Sequence, residues 1–145
     1  MSAKEMKALE RRLFEEINKG KVAAMAITDE LYASDFVLHG STGEDIHGLK
    51  NIKQAISEEI SAFPDLHYTI DDMVVEGNKV AVRLTATGTH KGDFMGVPAT
   101  NKKVTVQLIL IDRFAGGKIV EEWAIGDNLS LMQQIGAVPT PKKEK

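Results

Sequence analysis

The chain has no cysteine among its 145 residues. That excludes disulfides, thiol catalysis and Cys-ligated metal, and leaves the redox compartment open. It has no strong charge of either sign: the formal net charge is -3, which gives no reason to expect nucleic acid or an acidic membrane as partner. No apolar run approaches membrane-spanning length. The first residues, Met1 to Lys7, carry no apolar h-region, so the reading is a cytoplasmic protein without a signal peptide. Glycines at 92, 96, 116 and 117 have neither dinucleotide nor Walker spacing. Gly40-Ser41-Thr42-Gly43 lacks the five-residue pattern of a hydrolase elbow. The four His form no metal motif, and His39 and His47 lack a carboxylate at ligand spacing, so neither metal nor cofactor is expected.

What is present is ordinary globular material, 43% apolar and 27% charged. The length suits one domain with a real core. Met6, Leu9, Leu13, Phe14 and Ile17 recur at helical spacing over 3–19, and Gly20 is a plausible stop. A second helix is expected over 22–32. Asp35 to Gly40 reads as a brief strand or turn ending in His39, and 41–45 as a loop. Leu49, Ile52, Ile56, Ile60 and Phe63 form one stripe of a third helix over 48–63, which Pro64 ends.

From His67 the period becomes two. Strands are expected over 67–76, 79–90, 104–114 and 118–127, with a turn at Gly77-Asn78. In the second of these Val80, Val82, Leu84, Ala86, Gly88 and His90 share a face, which places His90 at one rim of the core. Residues 104–114 are apolar on both faces and should be central. A short helix over 129–135 follows, then a frayed tail at 139–145, leaving one domain at 1–138. Helices first and long strands after give an α+β chain, with helices packed on one face of a curved antiparallel sheet. Such a sheet makes a cone able to hold a small ligand.

The strand from Lys118 to Asp127 carries the only Trp. Strict alternation puts Ile119, Glu121, Trp123, Ile125 and Asp127 on one face. If that face is buried, the Asp127 carboxyl titrates high and suits acid/base work. The plain alternative is that Asp127 ends the strand and caps the next segment. The turn before it decides what joins that face. A three-residue turn with Gly117 left-handed pairs Phe114 with Lys118 and brings in Gln107. A two-residue Gly116-Gly117 turn brings in Val106, Leu108 and Leu110 instead. Turn preferences favour the first. Candidate polar groups are then Asp127, His39, His90, Gln107, Arg113 and Glu121, the last two also a plausible salt bridge near the turn.

The run Gly88-Thr89-His90-Lys91-Gly92-Asp93-Phe94-Met95-Gly96-Val97-Pro98-Ala99-Thr100, then Ile111-Asp112-Arg113-Phe114, Gly117 to Trp123, Asp127 and Leu131 to Gly136, resembles the SnoaL-like polyketide cyclases of the nuclear transport factor 2-like superfamily. The sequence departs from the family pattern at Ala99, where Pro is common, and at Asn101, where Gly is common. The resemblance implies an α+β cone, a homodimer and an apolar pocket for a small carbonyl-containing ligand. It implies a cyclase or isomerase without metal or cofactor. In the characterised cyclases an Asp on the last strand is the acid/base for intramolecular aldol closure, and Asp127 matches it. His39 matches a polar pocket position and Gln107 another, while His90 lies in the Gly-Thr-His stretch. Trp123 and Ile125 would line the substrate site. The same superfamily hosts non-catalytic ligand-binding proteins and epoxide hydrolases, so both stay as alternatives.

Overall fold

Helix α1 (Ala3–Ile17) begins at a capping box. The Ser2 hydroxyl accepts the Glu5 N–H, and the Glu5 carboxylate accepts the Ser2 N–H. Its apolar stripe of Met6, Leu13, Phe14 and Ile17 is buried. In this computed structural model, which describes residues 1–40 and 43–141, α1 is followed by α2 (Lys21–Leu31), β1 (Tyr32–His39), β2 (Asp45–His47), α3 (Leu49–Ala62), β3 (His67–Glu76), β4 (Lys79–Thr89), β5 (Lys103–Ala115), β6 (Lys118–Gly126) and α4 (Asn128–Gln134). Residues 41 and 42 of the expected loop, and 142–145 of the expected tail, lie outside the described residues.

The six strands form one sheet in the order β2-β1-β6-β5-β4-β3. The long strands β3 to β6 pair antiparallel, as expected. Two features go beyond the sequence reading. β1 pairs with β6 in parallel, and Asp45–His47, which starts on the last residue of the expected loop, is a short strand beside β1. β5 lies inside the sheet, with a neighbour on each edge. The helices cover one face. Val80, Val82 and Leu84 point into that side and are fully buried. Val82 sits opposite Leu110, which faces Ala124 in turn. Removing side chains of this size from water contributes about 1.5–3 kcal/mol each, which is why the alternation in β4 is so regular.

The β5–β6 hairpin corrects the expected turn. Ala115 faces Lys118 and Phe114 faces Ile119. The connection is therefore two residues, Gly116 and Gly117, both at positive φ (59° and 78°). The register then shifts, because Arg113 faces Glu121. Val120 is the extra residue of a β-bulge. Ile119 thus points into the core, while Glu121, Trp123 and Ile125 point to the other face, so the strict alternation expected for β6 does not hold. Asn101 adopts φ 59°. Asn tolerates this left-handed backbone better than most other side chains do.

Candidate active site

The face of the sheet under the helices carries the unusual chemistry. Asp112 of β5 and Glu122 of β6 are directly opposite one another. Their row runs from Val80 to Leu38. Glu10 of α1 closes over them. Glu10 and Asp112 are fully buried and Glu122 nearly so, in a core of Tyr32, Phe36, Val82 and Leu110. The four carboxyl oxygens of Glu10 and Asp112 find no hydrogen-bond partner outside the cluster among the described residues; within it Asp112 pairs with Glu10 and with Glu122. An ionised carboxylate is very costly there, so the groups hold protons instead. Burial, with Glu122 nearby, pushes Glu10 up to about 7. Burial, then Glu10, raises Asp112 well above the carboxylate range, and burial, then Asp112, does the same to Glu122.

Two tyrosines border the acids. Burial holds the Tyr32 phenol protonated, reinforced by Glu122, Asp112 and Glu10 at any pH high enough to ionise them. Tyr68 of β3 donates a short hydrogen bond to Glu59 of α3. Burial raises Tyr68, reinforced by Glu59 and by Glu122 further in. Burial raises Glu59 as well, opposed by that hydrogen bond. Tyr68 is itself only half-buried. It lines a groove of about 490 Å³ between α1 and β3, together with Phe14, Ile70 and Met73, and its ring meets Phe14 edge-on at 5.3 Å. Asn18, just after α1, fixes both sides of the groove. Its amide donates to the Tyr68 carbonyl at 2.9 Å and accepts the Tyr68 N–H at 2.7 Å. A side chain thereby replaces a missing strand partner.

The sequence-nominated residues fall elsewhere. Gln107, Trp123, Ile125 and Asp127 line a second groove of about 500 Å³ with Arg83, Ile109 and Ile111. It lies on the outer sheet face, away from the helices. The expectation that Trp123 and Asp127 face the cone interior is therefore corrected. The Val120 bulge is the reason. Gln107 does share their face, but through a two-residue turn whose offset the bulge cancels. Asp127 is exposed and caps α4 by accepting the Ser130 N–H at 3.0 Å, which is the plain alternative weighed from the sequence. Ile125 is 71% exposed.

His39 also lies on the outer face. It stacks on Trp123 at 5.5 Å. Its ring nitrogens bridge Asp45 at 3.1 Å and Glu121 at 2.8 Å, and Arg113 bonds Glu121 at 3.0 Å. The Glu121 bond, helped by Asp45 against some burial, raises the His39 pKa. The same bond, with Arg113, lowers Glu121. His90 is apart from both grooves. It is fully buried, beside Phe63, with Nδ1 2.9 Å from the Thr100 hydroxyl. Sequence reasoning missed Glu10, Asp112 and Glu122. The available signal was Asp112, an acid between Leu110 and Phe114 on the apolar parity of β5.

With this geometry in view, the comparisons decide the family. The family model for SnoaL-like polyketide cyclases matches residues 8–135. The chain belongs to that family. Among solved structures, AclR of Streptomyces galilaeus, described as a candidate hydroxylase, is 29% identical over 95% of this chain and 100% of its own, with a TM-score of 0.85. IdmH of Streptomyces antibioticus, a candidate polyketide cyclase, is 30% identical over 90% of this chain and 97% of its own, with a TM-score of 0.76. A SnoaL-like protein of Jannaschia sp. CCS1, at 24% identity, shares the fold with a TM-score of 0.87 over 96% of this chain and 98% of its own. No curated protein gives a significant match. The α+β architecture with helices on one face of a curved, unclosed sheet is the SnoaL fold. No helix among the described residues is long and apolar enough to cross a membrane.

Proposed function

We propose that this SnoaL-like chain is a small-molecule enzyme of the cyclase or isomerase type, moving protons on an apolar carbonyl compound through its buried acids. One observation carries the reading: Glu10, Asp112 and Glu122 are buried against one another in an apolar core and hold protons, with no cation paired to them among the described residues. Burying three carboxyls with only one another as polar partners costs stability. Clusters of this kind mark functional sites.

The chemistry follows from the order of acidities. Glu10, near 7, exchanges its proton at neutral pH, and its carboxylate form takes a proton from the carbon beside a carbonyl. Asp112 or Glu122, still protonated, gives a proton to the carbonyl oxygen, leaving an enol. The enol carbon either attacks a second carbonyl of the same molecule, closing a ring, or is reprotonated elsewhere, moving a double bond. The description of IdmH as a polyketide cyclase supports the first outcome. Asp112→Asn keeps the shape and cannot give up a proton. It should slow α-proton exchange into deuterated water, followed by NMR on a panel of carbonyl ligands, by roughly a hundredfold. Asp127→Asn should change it little. An unaltered rate in both folded Asp112→Asn and folded Glu122→Gln would end this reading.

A second reading rests on the outer groove, where Gln107, Trp123, Ile125 and Asp127 come together. There the chain binds its ligand without the buried acids, with Asp127 and His39 as the polar groups, whether catalytic or not. The reverse pattern in the same experiment supports it. The outer face also suits a homodimer. Ile109 and Ile111 are 53% and 37% exposed and stand beside Ile125, forming a patch of the kind that marks an interface. A monomeric mass at micromolar concentration in light scattering would count against the dimer.

A further inference from the structure

We propose that His39 is the pin of a proton-operated clasp at the sheet edge: with two N–H donors it ties Asp45 of β2 to Glu121 of β6, and with one proton removed it lets β2 lift away. The ring stands between two carboxylates, with Nδ1 3.1 Å from Asp45 Oδ2 and Nε2 2.8 Å from Glu121 Oε2. An ionised carboxylate only accepts, and a neutral imidazole has a single N–H. Both bonds therefore exist together only when the ring is protonated. The geometry also says which bond is lost. Glu121 is the nearer oxygen, and Arg113 holds it in place at 3.0 Å. Asp45 is the more exposed acid, 41% against 25%, so the remaining N–H stays with Glu121.

β2 depends on the Asp45 bond because its own pairing is slight. It is three residues long, lies at the end of the sheet and pairs with β1 alone. Edge pairings of this length open locally at small cost. The other charged and titratable groups on this face do not duplicate the bond. His47 of β2 stands two positions along, opposite Val37. Arg113 of β5 is taken by Glu121. Lys79 of β4 sits 5.4 Å from the Trp123 ring. The helices cover the opposite face. The Glu121 bond first, with Asp45 adding to it, raises the His39 pKa above the ordinary 6.5 against some burial. The clasp is therefore fully closed below pH 6.5 and opens as pH rises through the raised value. It uses none of the buried acids and stands whatever reaction they perform.

Trp123 reports the proton, because it is the only Trp of the chain and stacks on the His39 ring at 5.5 Å. A protonated imidazole quenches a stacked indole more than a neutral one does. In the intact protein, Trp123 emission should rise with pH in one step centred above 6.5. Protection of the Asp45–His47 amides, with intrinsic exchange rates divided out, should fall about fivefold across the same step, the upper end for exposed ion pairs. Val82 should stay protected throughout. His39→Gln should remove both changes. Asp45→Asn is the sharper variant, because its amide offers a donor as well as an acceptor and so serves a neutral ring. There the emission step should remain, moved to lower pH, and the fall in protection should vanish. The proposal is overturned if the emission step in the parent is absent or centred below 6.5, or if β2 protection is unchanged across it. It is equally overturned if the fall in protection survives in Asp45→Asn or His39→Gln, which would assign it to His47 or another group.

Discussion

The two faces of the β4–β5–β6 sheet invert the usual distribution of residues. The inner face, shielded by three helices, holds Asp112 and Glu122 with Glu10 above them, all buried. The outer face shows Ile109, Ile111 and Ile125 to solvent. Acids inside and isoleucines outside are each unfavourable for an isolated fold. The difference teaches that a sheet can be asked to do two jobs at once, one on each parity. On the function proposed above, stability is given up inside for proton chemistry and outside for association. The rest of the inner face, with Val80, Val82 and Leu84 fully buried, supplies the packing that tolerates both.

The comparison breaks first at Glu10. Its folded pKa of about 7 stands above the ordinary 4.5. The folded state therefore binds the proton more tightly than the unfolded chain does. Stability is full below about pH 4.5, falls as pH rises towards 7, and stays low above. Glu10→Met, similar in length and uncharged, should stabilise the protein at pH 8 by on the order of 3 kcal/mol. The gain should shrink steadily as the pH of the melt is lowered to 4.5. A pH-independent gain would mean that packing, and not ionisation, is what the substitution changes.

The next effect is on the wall of the inner face. Asn18→Ala removes both bonds to the Tyr68 backbone and should cost about 2 kcal/mol in a urea melt, at about 1 kcal/mol per bond. It should also loosen amide exchange at Tyr68 more than at Val82. The outer face is sharpened by Ile109→Lys, which leaves the fold intact and should weaken self-association about tenfold or more in sedimentation. Equal association by the variant and the parent would assign the patch to the ligand groove alone.

Much of the fold was legible because its periods are strong. The α3 stripe and the β4 alternation are what burial alone demands, and β5 reads as central because both its parities are apolar. The site was less legible for local reasons. A bulge leaves no mark in sequence, so strict alternation carried Asp127 to the wrong side of the sheet. The Gly116-Gly117 turn and Val120 made two departures of opposite sense, which is why Gln107 still ended beside Trp123. Asp112 and Glu122 sat within family motifs and drew no separate notice, although the neighbouring pair Glu121-Glu122 cannot both face solvent in a strand that separates two environments. The buried acidities depend on α1 meeting β5 and β6 across about a hundred residues of chain, and no local pattern encodes that.

The bulge at Val120 also fixes how this hairpin tolerates changes of length. Deleting Val120 leaves Phe114 opposite Ile119 and Arg113 opposite Glu121, so each residue keeps its side and only local twist is lost. Deleting any one residue from Glu122 to Ile125 instead exchanges sides for part of the strand, sending an acid into solvent or Trp123 under the helices. Among natural or laboratory variants, single-residue gaps should therefore gather at positions 120 and 121 and be purged from the four residues Glu122 to Ile125. For this strand the spacing of the letters decides which side each takes, whatever several of the letters themselves are.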